Sequence, residues 1–210
     1  MRCISISAVA LSLMFAGLSA AQASAIDQFK SFVVNTKTAK GEFSQTQVKM
    51  VSGKAQLGKT ASGVFKFARP GKFMWSYLKP YEQVLQADGD KLYMYDKDLN
   101  QVTIKALGNA IGSSPAAILF GSVDLDKNFT LKDAGLNNGI EWLEAIPKEK
   151  DSQFELIRIG MKDGLPVGME LRDSFGQIST VNLNNFERNP NFSADHFKFV
   201  VPKGADVNRL

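Results

Sequence analysis

Apolar and polar residues alternate along most of this chain, as they do in β-strands. About ten or eleven short segments follow this pattern, and turn signals such as Asp88-Gly89 separate them at hairpin spacing. The last strand that the pattern predicts is HFKFVV, residues 196–201. The residues before the first strand have helical spacing instead, and they predict one amphipathic helix that ends near residue 37. Its apolar positions are Ile26, Phe29, Phe32 and Val33.

One segment, residues 105–121, departs from the alternation. Good helix formers surround a Gly-Ser-Ser break, and Ser114 followed by Pro115 has the composition of a helix N-cap and first turn. We therefore predict two short helices here. The fold class that follows is mainly β with α, a strongly curved antiparallel sheet whose open face is covered by the helices.

Several predicted strands are apolar on both faces, for example KLYMYD at 91–96 and IEWLEAI at 140–146. A second packed layer on the sheet would explain this pattern, and it is the commoner cause. A half-barrel whose concave face lines a cavity would explain it as well, with the helices as a lid. The pattern alone leaves both explanations open.

The N-terminal 25 residues have the composition of a secretory signal peptide. A short basic start precedes an apolar run, and small residues offer cleavage after Ala23 or Ala25. The single cysteine, Cys3, lies inside this segment, so the mature chain is expected to have no disulfide. Residues 26–210 have no apolar run that would span a membrane and no linker, and they are predicted to form a single exported domain.

The composition argues against an enzyme or a metal site. His196 is the only histidine and has no nucleophile motif beside it, so it is expected to be an ordinary strand residue. The acidic stretches DKDLN at 96–100 and DLDKN at 124–128 lack the glycine and glutamate of a calcium loop, and are predicted to be polar turns. The formal net charge of +4 comes with no nucleic-acid-binding motif. A binding role without cofactor remains.

The stretch FKFARPGKFMWSY, residues 65–77, carries all its aromatic residues at odd positions, so that they share one face of a hairpin. Arg69 is also at an odd position and is therefore predicted to lie on the same face. A connection of three residues, 70–72, keeps the aromatic residues together, and burial specifies register strongly. The predicted pairs are Phe65 with Tyr77, Phe67 with Trp75, and Arg69 with Phe73.

Two interpretations account for a cation on this face. Arg69 either covers apolar surface with its stem while its charged end reaches water or an aromatic ring, or it donates hydrogen bonds to a lid. The carbonyls at the C-terminus of a helix lack partners within the helix, and a guanidinium has several N–H groups to offer them.

A family resemblance adds to this argument. The run F-x-F-x-R-P-x-x-F-x-W over 65–75, then P-x-x-x-x-L-x-x-D-G-x-x-L-x-x-Y-D over 80–96 and Q-V-T at 101–103, resembles the LolA family of periplasmic outer-membrane lipoprotein carriers. The stretches D-S-F-G-Q at 173–177 and F-x-F-x-x-P-x-G-x-D-V at 197–207 extend the resemblance over essentially the whole mature chain. The helix that starts with Ser-Pro at 114–120 also fits, but the predicted lid segment as a whole, residues 105–121, is only loosely similar.

The resemblance implies an incomplete antiparallel β-barrel with an α-helical lid over an apolar cavity. It also implies a monomeric periplasmic chaperone that takes acylated lipoproteins from an inner-membrane ABC transporter and delivers them to an outer-membrane receptor. Arg69 would hold the lid closed, and Phe73 would act in transfer. The predicted acyl-chain cavity residues are Phe65, Phe67, Trp75, Tyr77, Leu85 and Leu92. The predicted lid residues are Phe29, Phe32, Val33, Leu107, Ile111, Ile118 and Leu119.

Two alternatives stay open at this point. The same fold would suit a periplasmic carrier of another lipid, and a lipoprotein-sensing envelope-stress domain would use the same cavity. Lys66 and Lys72 are expected near the cavity mouth, where they either contact an acidic patch on a partner or form a solvated face.

Overall fold

The computed structural model describes residues 23–51, 54–110, 115–120, 125–149 and 152–210. The strands are β1 (Thr38–Val51), β2 (Lys54–Ala68), β3 (Lys72–Lys79), β4 (Gln83–Asp88), β5 (Lys91–Asp96), β6 (Gln101–Ala106), β7 (Phe129–Asn137), β8 (Ile140–Pro147), β9 (Phe154–Lys162), β10 (Leu165–Asp173), β11 (Ile178–Arg188) and β12 (Asp206–Arg209). They form one sheet in the order β12-β6-β5-β4-β3-β2-β1-β11-β10-β9-β8-β7. The sheet does not close, because β12 and β7 are its two edges.

Helices lie on one face of the sheet, here called the inner face. They are α1 (Ala25–Asn35), a single turn of 3₁₀ helix (Leu107–Ala110), α2 (Pro115–Phe120) and α3 (Leu125–Asn128). Ser24 caps α1 by accepting a hydrogen bond from the N–H of Asp27 at 3.2 Å. The helix then packs across β7 to β10. It ends at Asn35, close to the predicted end near residue 37.

The pattern predicted most of these elements, and three assignments differ. The described residues contain twelve strands rather than ten or eleven. The segment 196–201 is not a strand, and the final strand is β12, which pairs in parallel with β6. Residues 125–128, predicted to be part of a polar turn, form α3, where Leu125 is buried. The buried leucine explains the helix, since it anchors the turn to the core.

The C-terminal segment 189–205 explains the apolar residues on both sides of β5. It lies on the outer face of the sheet, where Phe199 stacks on Tyr93 with ring centroids 4.6 Å apart. Leu92, the neighbour of Tyr93, is buried on the inner face. A second packed layer therefore accounts for the outer side of this strand, as in the commoner of the two explanations.

His196 lies in this outer layer and not in a strand, contrary to the prediction. Its ring stacks on Phe192 at 4.6 Å and meets Phe197 edge-on at 5.1 Å. Burial, and after it the charge of Lys66, lowers the pKa of His196. The histidine is therefore a packing residue of the C-terminal segment.

Gly63 is required where β2 crosses the inner aromatic cluster. A Cβ at this position would lie 1.9 Å from the carbonyl oxygen of Ser76 and 2.8 Å from the ring of Phe43. We expect Gly63→Ala to lower the free energy of unfolding by about 1–3 kcal/mol, because β2 and β3 would have to separate. Urea unfolding measures this. Gly108→Ala is the control, since a Cβ there meets nothing within 4 Å. Equal stability of the two variants would contradict the prediction.

Candidate functional site

Aromatic side chains of β2 and β3 form the centre of the inner face. Phe65 and Phe67 are buried, as are Phe73 and Trp75. The structure thus places these four predicted residues together on one face. The pairing differs from the prediction, however, because Phe65 lies opposite Trp75 and Phe67 opposite Phe73.

The hairpin connection explains the difference in register. It consists of residues 69–71, so Arg69 belongs to the turn and pairs with no residue of β3. Its backbone N–H donates instead to the carbonyl of Lys37 at 2.7 Å, in the connection between α1 and β1. Gly71 completes the turn with a φ of +68°, a conformation that favours glycine.

Side chains of the helices fill the space over this aromatic surface. Phe120, at the end of α2, is fully buried and stacks on Phe67 at 4.5 Å and on Phe65 at 5.1 Å. Phe32 of α1 meets Phe67 edge-on at 6.2 Å. In this structure the surface predicted to line an acyl-chain cavity is therefore covered by side chains of α1 and α2. Phe120 is not among the residues predicted from the sequence, although it ends the apolar run PAAILF.

The other predicted site residues lie on or around the same surface. Leu85 and Leu92 are buried on the inner face, and Tyr77 is partly buried at its edge. Of the predicted lid residues, the buried ones are Phe29, Phe32, Leu107, Ile118 and Leu119, with Val33 partly buried against the same core. Ile111 lies outside the described residues.

Arg69 connects the two helices that cover the surface. Its Nε donates to the carbonyl of Thr36, the C-cap residue of α1, at 3.2 Å. Its Nη2 donates to the carbonyl of Leu119 near the end of α2, at 3.1 Å. Both acceptors are carbonyls of the kind that helix ends leave without partners. One side chain from the β2–β3 turn thus contacts both helices.

The surroundings of Arg69 favour a charged guanidinium in spite of its burial. The guanidinium carbon lies 4.9 Å from the centre of the Phe67 ring and 5.4 Å from that of Phe32, within cation–π range. The helix C-termini contribute partial negative charge. Burial lowers the pKa of Arg69 to about 10, so the group keeps its charge at neutral pH. Its hydrogen bonds are therefore charge-assisted ones.

A cavity of about 300 Å³ opens at the other end of β3 from Arg69. We call it the mouth. Its floor is apolar, with Tyr77, Leu85, Met94, Phe154 and Leu171, and Pro115 at the start of α2 borders it. Its polar lining residues are Gln45, Gln47, Gln83, Gln153, Asp173, Gln177 and Ser179.

Lys66 and Lys72 do not lie at the mouth, contrary to the prediction. Each alternates along its strand with a buried inner residue, Phe65 and Phe67 in β2 and Phe73 in β3. Side chains of successive strand residues point to opposite faces, so both lysines belong to the outer face.

Sequence comparisons identify the relatives of this chain. The family model described as outer membrane lipoprotein carrier protein LolA matches residues 34–200. An outer-membrane lipoprotein carrier protein from Cupriavidus taiwanensis is 55% identical over 204 residues, which cover 97% of each chain. Proteins of the same name from Ralstonia nicotianae and Chromobacterium violaceum are 53% and 45% identical, over 93% and 91% of this chain and 95% and 91% of their own.

Solved structures share the fold at low sequence identity. An uncharacterized conserved protein from Thermus thermophilus is 14% identical with a TM-score of 0.56, covering 88% of this chain and 96% of that protein. A LolA superfamily protein from Nitrosomonas europaea is 7% identical with a TM-score of 0.51, covering 85% and 99%. Among the described residues, each helix falls short of the length and apolarity that a membrane span requires. The family match and the relatives together show that this chain belongs to the LolA family of outer membrane lipoprotein carrier proteins.

Proposed function

We propose that this protein is a periplasmic carrier that shields the acyl chains of lipoproteins on their way to the outer membrane. The observation that carries the proposal is the buried aromatic surface whose covering helices are joined by one arginine. A surface of this kind suits alkyl chains, and hydrogen bonds to a single side chain are reversible. The relatives that cover nearly the whole chain carry the name outer-membrane lipoprotein carrier protein.

In the proposed cycle, acyl chains replace lid side chains on the inner face. Phe120 stacks on Phe65 and Phe67, so a chain that binds there has to displace α2. Displacing α2 breaks the bond from Arg69 to Leu119, and moving α1 breaks the bond to Thr36. Phe73, buried beside Phe67, then becomes part of the surface that holds the chain and is proposed to act in its transfer.

The magnitudes explain why a carrier needs a lid that closes when it is empty. Burying a CH₂ group gains roughly 0.8 kcal/mol, so a chain of about 16 carbons gains on the order of 12 kcal/mol. Two or three such chains would bind too tightly for useful release. Closing the empty lid restores the Arg69 hydrogen bonds and the Phe120 contacts, which offsets part of this gain. Transfer to a receptor with a more favourable cavity then needs no ATP in the periplasm.

The location and partners follow from the same proposal. Residues 1–25 are proposed to contain a signal peptide that directs export and is cleaved after Ala23 or Ala25, with the rest of the chain as the carrier domain. Cleavage after Ala23 would keep Ser24, which caps α1. The proposed donor is an inner-membrane lipoprotein-releasing ABC transporter, and the proposed acceptor is an outer-membrane lipoprotein receptor. The carrier itself is proposed to act as a monomer, without cofactor and without catalysis.

A release assay tests the proposed function directly. The mature protein is incubated with inner-membrane vesicles that contain the transporter and a lipoprotein, with ATP. We expect a soluble one-to-one complex that native mass spectrometry identifies as carrier plus acylated lipoprotein. Omitting ATP is the control, and a lipoprotein without acyl chains should stay unbound. Recovery of a free lipid or glycolipid in place of lipoprotein, or of an empty carrier, would contradict the proposal.

A further inference from the structure

Neutral amide side chains make up much of the polar lining of the mouth. Five glutamines surround it, and we call them the amide collar: Gln45, Gln47, Gln83, Gln153 and Gln177. They come from β1, from the start of β4, from the residue before β9 and from the β10–β11 turn. Separate elements of the fold thus bring the same side-chain type to one opening.

Hydrogen bonds hold parts of this lining in place. The hydroxyl of Tyr77 donates to Oε1 of Gln45 at 2.9 Å, and this bond does not use the donor group Nε2 of Gln45. Oδ1 of Asp173 accepts from the backbone N–H groups of Phe175 and Gln177, at 3.0 Å and 2.8 Å. This turn fixes the backbone from which Gln177 projects.

The described lining of the mouth also carries little charge. Asp173 has the one carboxylate among the described residues of the mouth, and none of them is lysine or arginine. Amide groups donate hydrogen bonds to ester and amide carbonyls without carrying charge. A phosphate placed here would lose water without gaining a cationic partner, and it would face the carboxylate of Asp173.

We propose that the amide collar selects the head of the cargo, accepting the uncharged diacylglyceryl thioether of an acylated cysteine and disfavouring phospholipids. This inference rests on the proposed carrier function and deepens it. In both lipid classes, two ester carbonyls follow the acyl chains and meet the collar. The group after the glycerol then differs, because it is a neutral sulfur in the lipoprotein and an anionic phosphate in a phospholipid.

The selection has to occur at the mouth because the inner face cannot provide it. Phe65, Phe67 and Trp75 would contact alkyl chains only, and those chains are alike in lipoproteins and phospholipids. Phospholipids greatly outnumber lipoproteins in a membrane, so a carrier without a head-group filter would be loaded with them. The collar provides such a filter without contacting the protein part of the cargo.

A competition experiment tests the inference with lipids that share their acyl chains. A fluorescent tripalmitoyl-cysteine lipopeptide is bound to the mature protein in a mild detergent. Dipalmitoylglycerol and dipalmitoyl phosphatidylglycerol then compete for the site. We expect phosphatidylglycerol to compete about tenfold or more weakly than dipalmitoylglycerol, since it alone brings a charge to the collar.

Introducing a cation at the collar should abolish this difference. In Gln177→Lys, we expect phosphatidylglycerol to compete about as well as dipalmitoylglycerol, because lysine supplies the missing partner for phosphate. Gln177 is exposed in a turn, so its replacement leaves the packing of the fold intact. Asn182→Lys is the matched control, since this exposed amide lies on the outer face of β11, between the buried Val181 and Leu183. It should behave as the unchanged protein does.

The outcomes separate the inference from the proposed function. Equal competition by both lipids in the unchanged protein would overturn the collar as a filter and leave the carrier function intact. The same follows if Gln177→Lys and Asn182→Lys have equal effects on phosphatidylglycerol. Failure of the lipopeptide to bind at all would overturn the carrier function itself.

Discussion

Replacing Arg69 with leucine is expected to give a carrier that takes up lipoprotein but releases it poorly. The two described hydrogen bonds from Arg69, to Thr36 and Leu119, are made in the closed lid. Charge-assisted bonds of this kind contribute about 1.5–3 kcal/mol each. Their loss destabilises the empty closed form by about 3–6 kcal/mol, which corresponds to roughly a hundredfold to ten-thousandfold in the closing equilibrium.

Leucine is the informative replacement because it leaves no unpaired charge beside Phe32 and Phe67. In the proposed cycle the open, loaded form lacks the hydrogen bonds of Arg69, so its stability should change little. We therefore expect the affinity for a lipopeptide to rise and the transfer to receptor to fall by at least about a hundredfold.

Loading from vesicles and transfer to receptor liposomes, measured separately, check this expectation. Arg69→Lys should be intermediate, since an ammonium keeps the charge but cannot span both carbonyls as a guanidinium does. Arg172→Leu is the matched control, because Arg172 is exposed on the outer face of β10. Unchanged loading and unchanged transfer in Arg69→Leu would show that Arg69 does not hold the lid.

The alternation of residues predicted which face of the sheet carries the aromatic side chains, but it could not fix their pairing. Shifting a hairpin by two residues keeps every side chain on its face, so burial favours both registers equally. In the observed register the backbone N–H of Arg69 bonds to the carbonyl of Lys37, a residue far away in sequence. No local pattern contains that contact.

For the partners of Arg69, the sequence likewise predicted the kind of group but not the residues. Unpaired carbonyls at helix ends were a predictable kind of partner, because every helix has them. Which carbonyls they are depends on how α1 and α2 dock on the sheet, and so Thr36 and Leu119 could not be named from sequence. Phe120 was missed for the same reason, since a phenylalanine at the end of a short apolar helix has no signal that sets it above its neighbours.

The wrong strand at 196–201 has a different cause. An extended segment that packs flat on a sheet buries alternate side chains, just as a paired strand does. Phe197 is buried, and Phe199 stacks on Tyr93, so the alternation is real although no strand pairs there. Backbone pairing leaves no trace in the pattern of side chains.

Phe120→Ala is expected to lower the free energy of unfolding of the empty protein and to raise its affinity for acyl chains. Phe120 is fully buried in the closed form, and removal of a buried phenylalanine side chain costs about 3–5 kcal/mol. Urea unfolding of the empty protein measures this loss. In the proposed loaded form the acyl chain has replaced Phe120, so the substitution should cost that form little. Lipopeptide affinity should therefore rise by at least about a hundredfold.

Phe43→Ala separates this effect from ordinary loss of core packing. Phe43 is buried as well and stacks on Trp75 at 4.0 Å, but it belongs to β1. In the proposed cycle it therefore stays in place whether the lid is open or closed. Its removal should destabilise the empty and loaded forms alike, and should leave the affinity unchanged or lower it. If Phe120→Ala lowered the affinity as Phe43→Ala does, Phe120 would be part of the binding surface. The acyl chain would then bind beside Phe120 and not in its place.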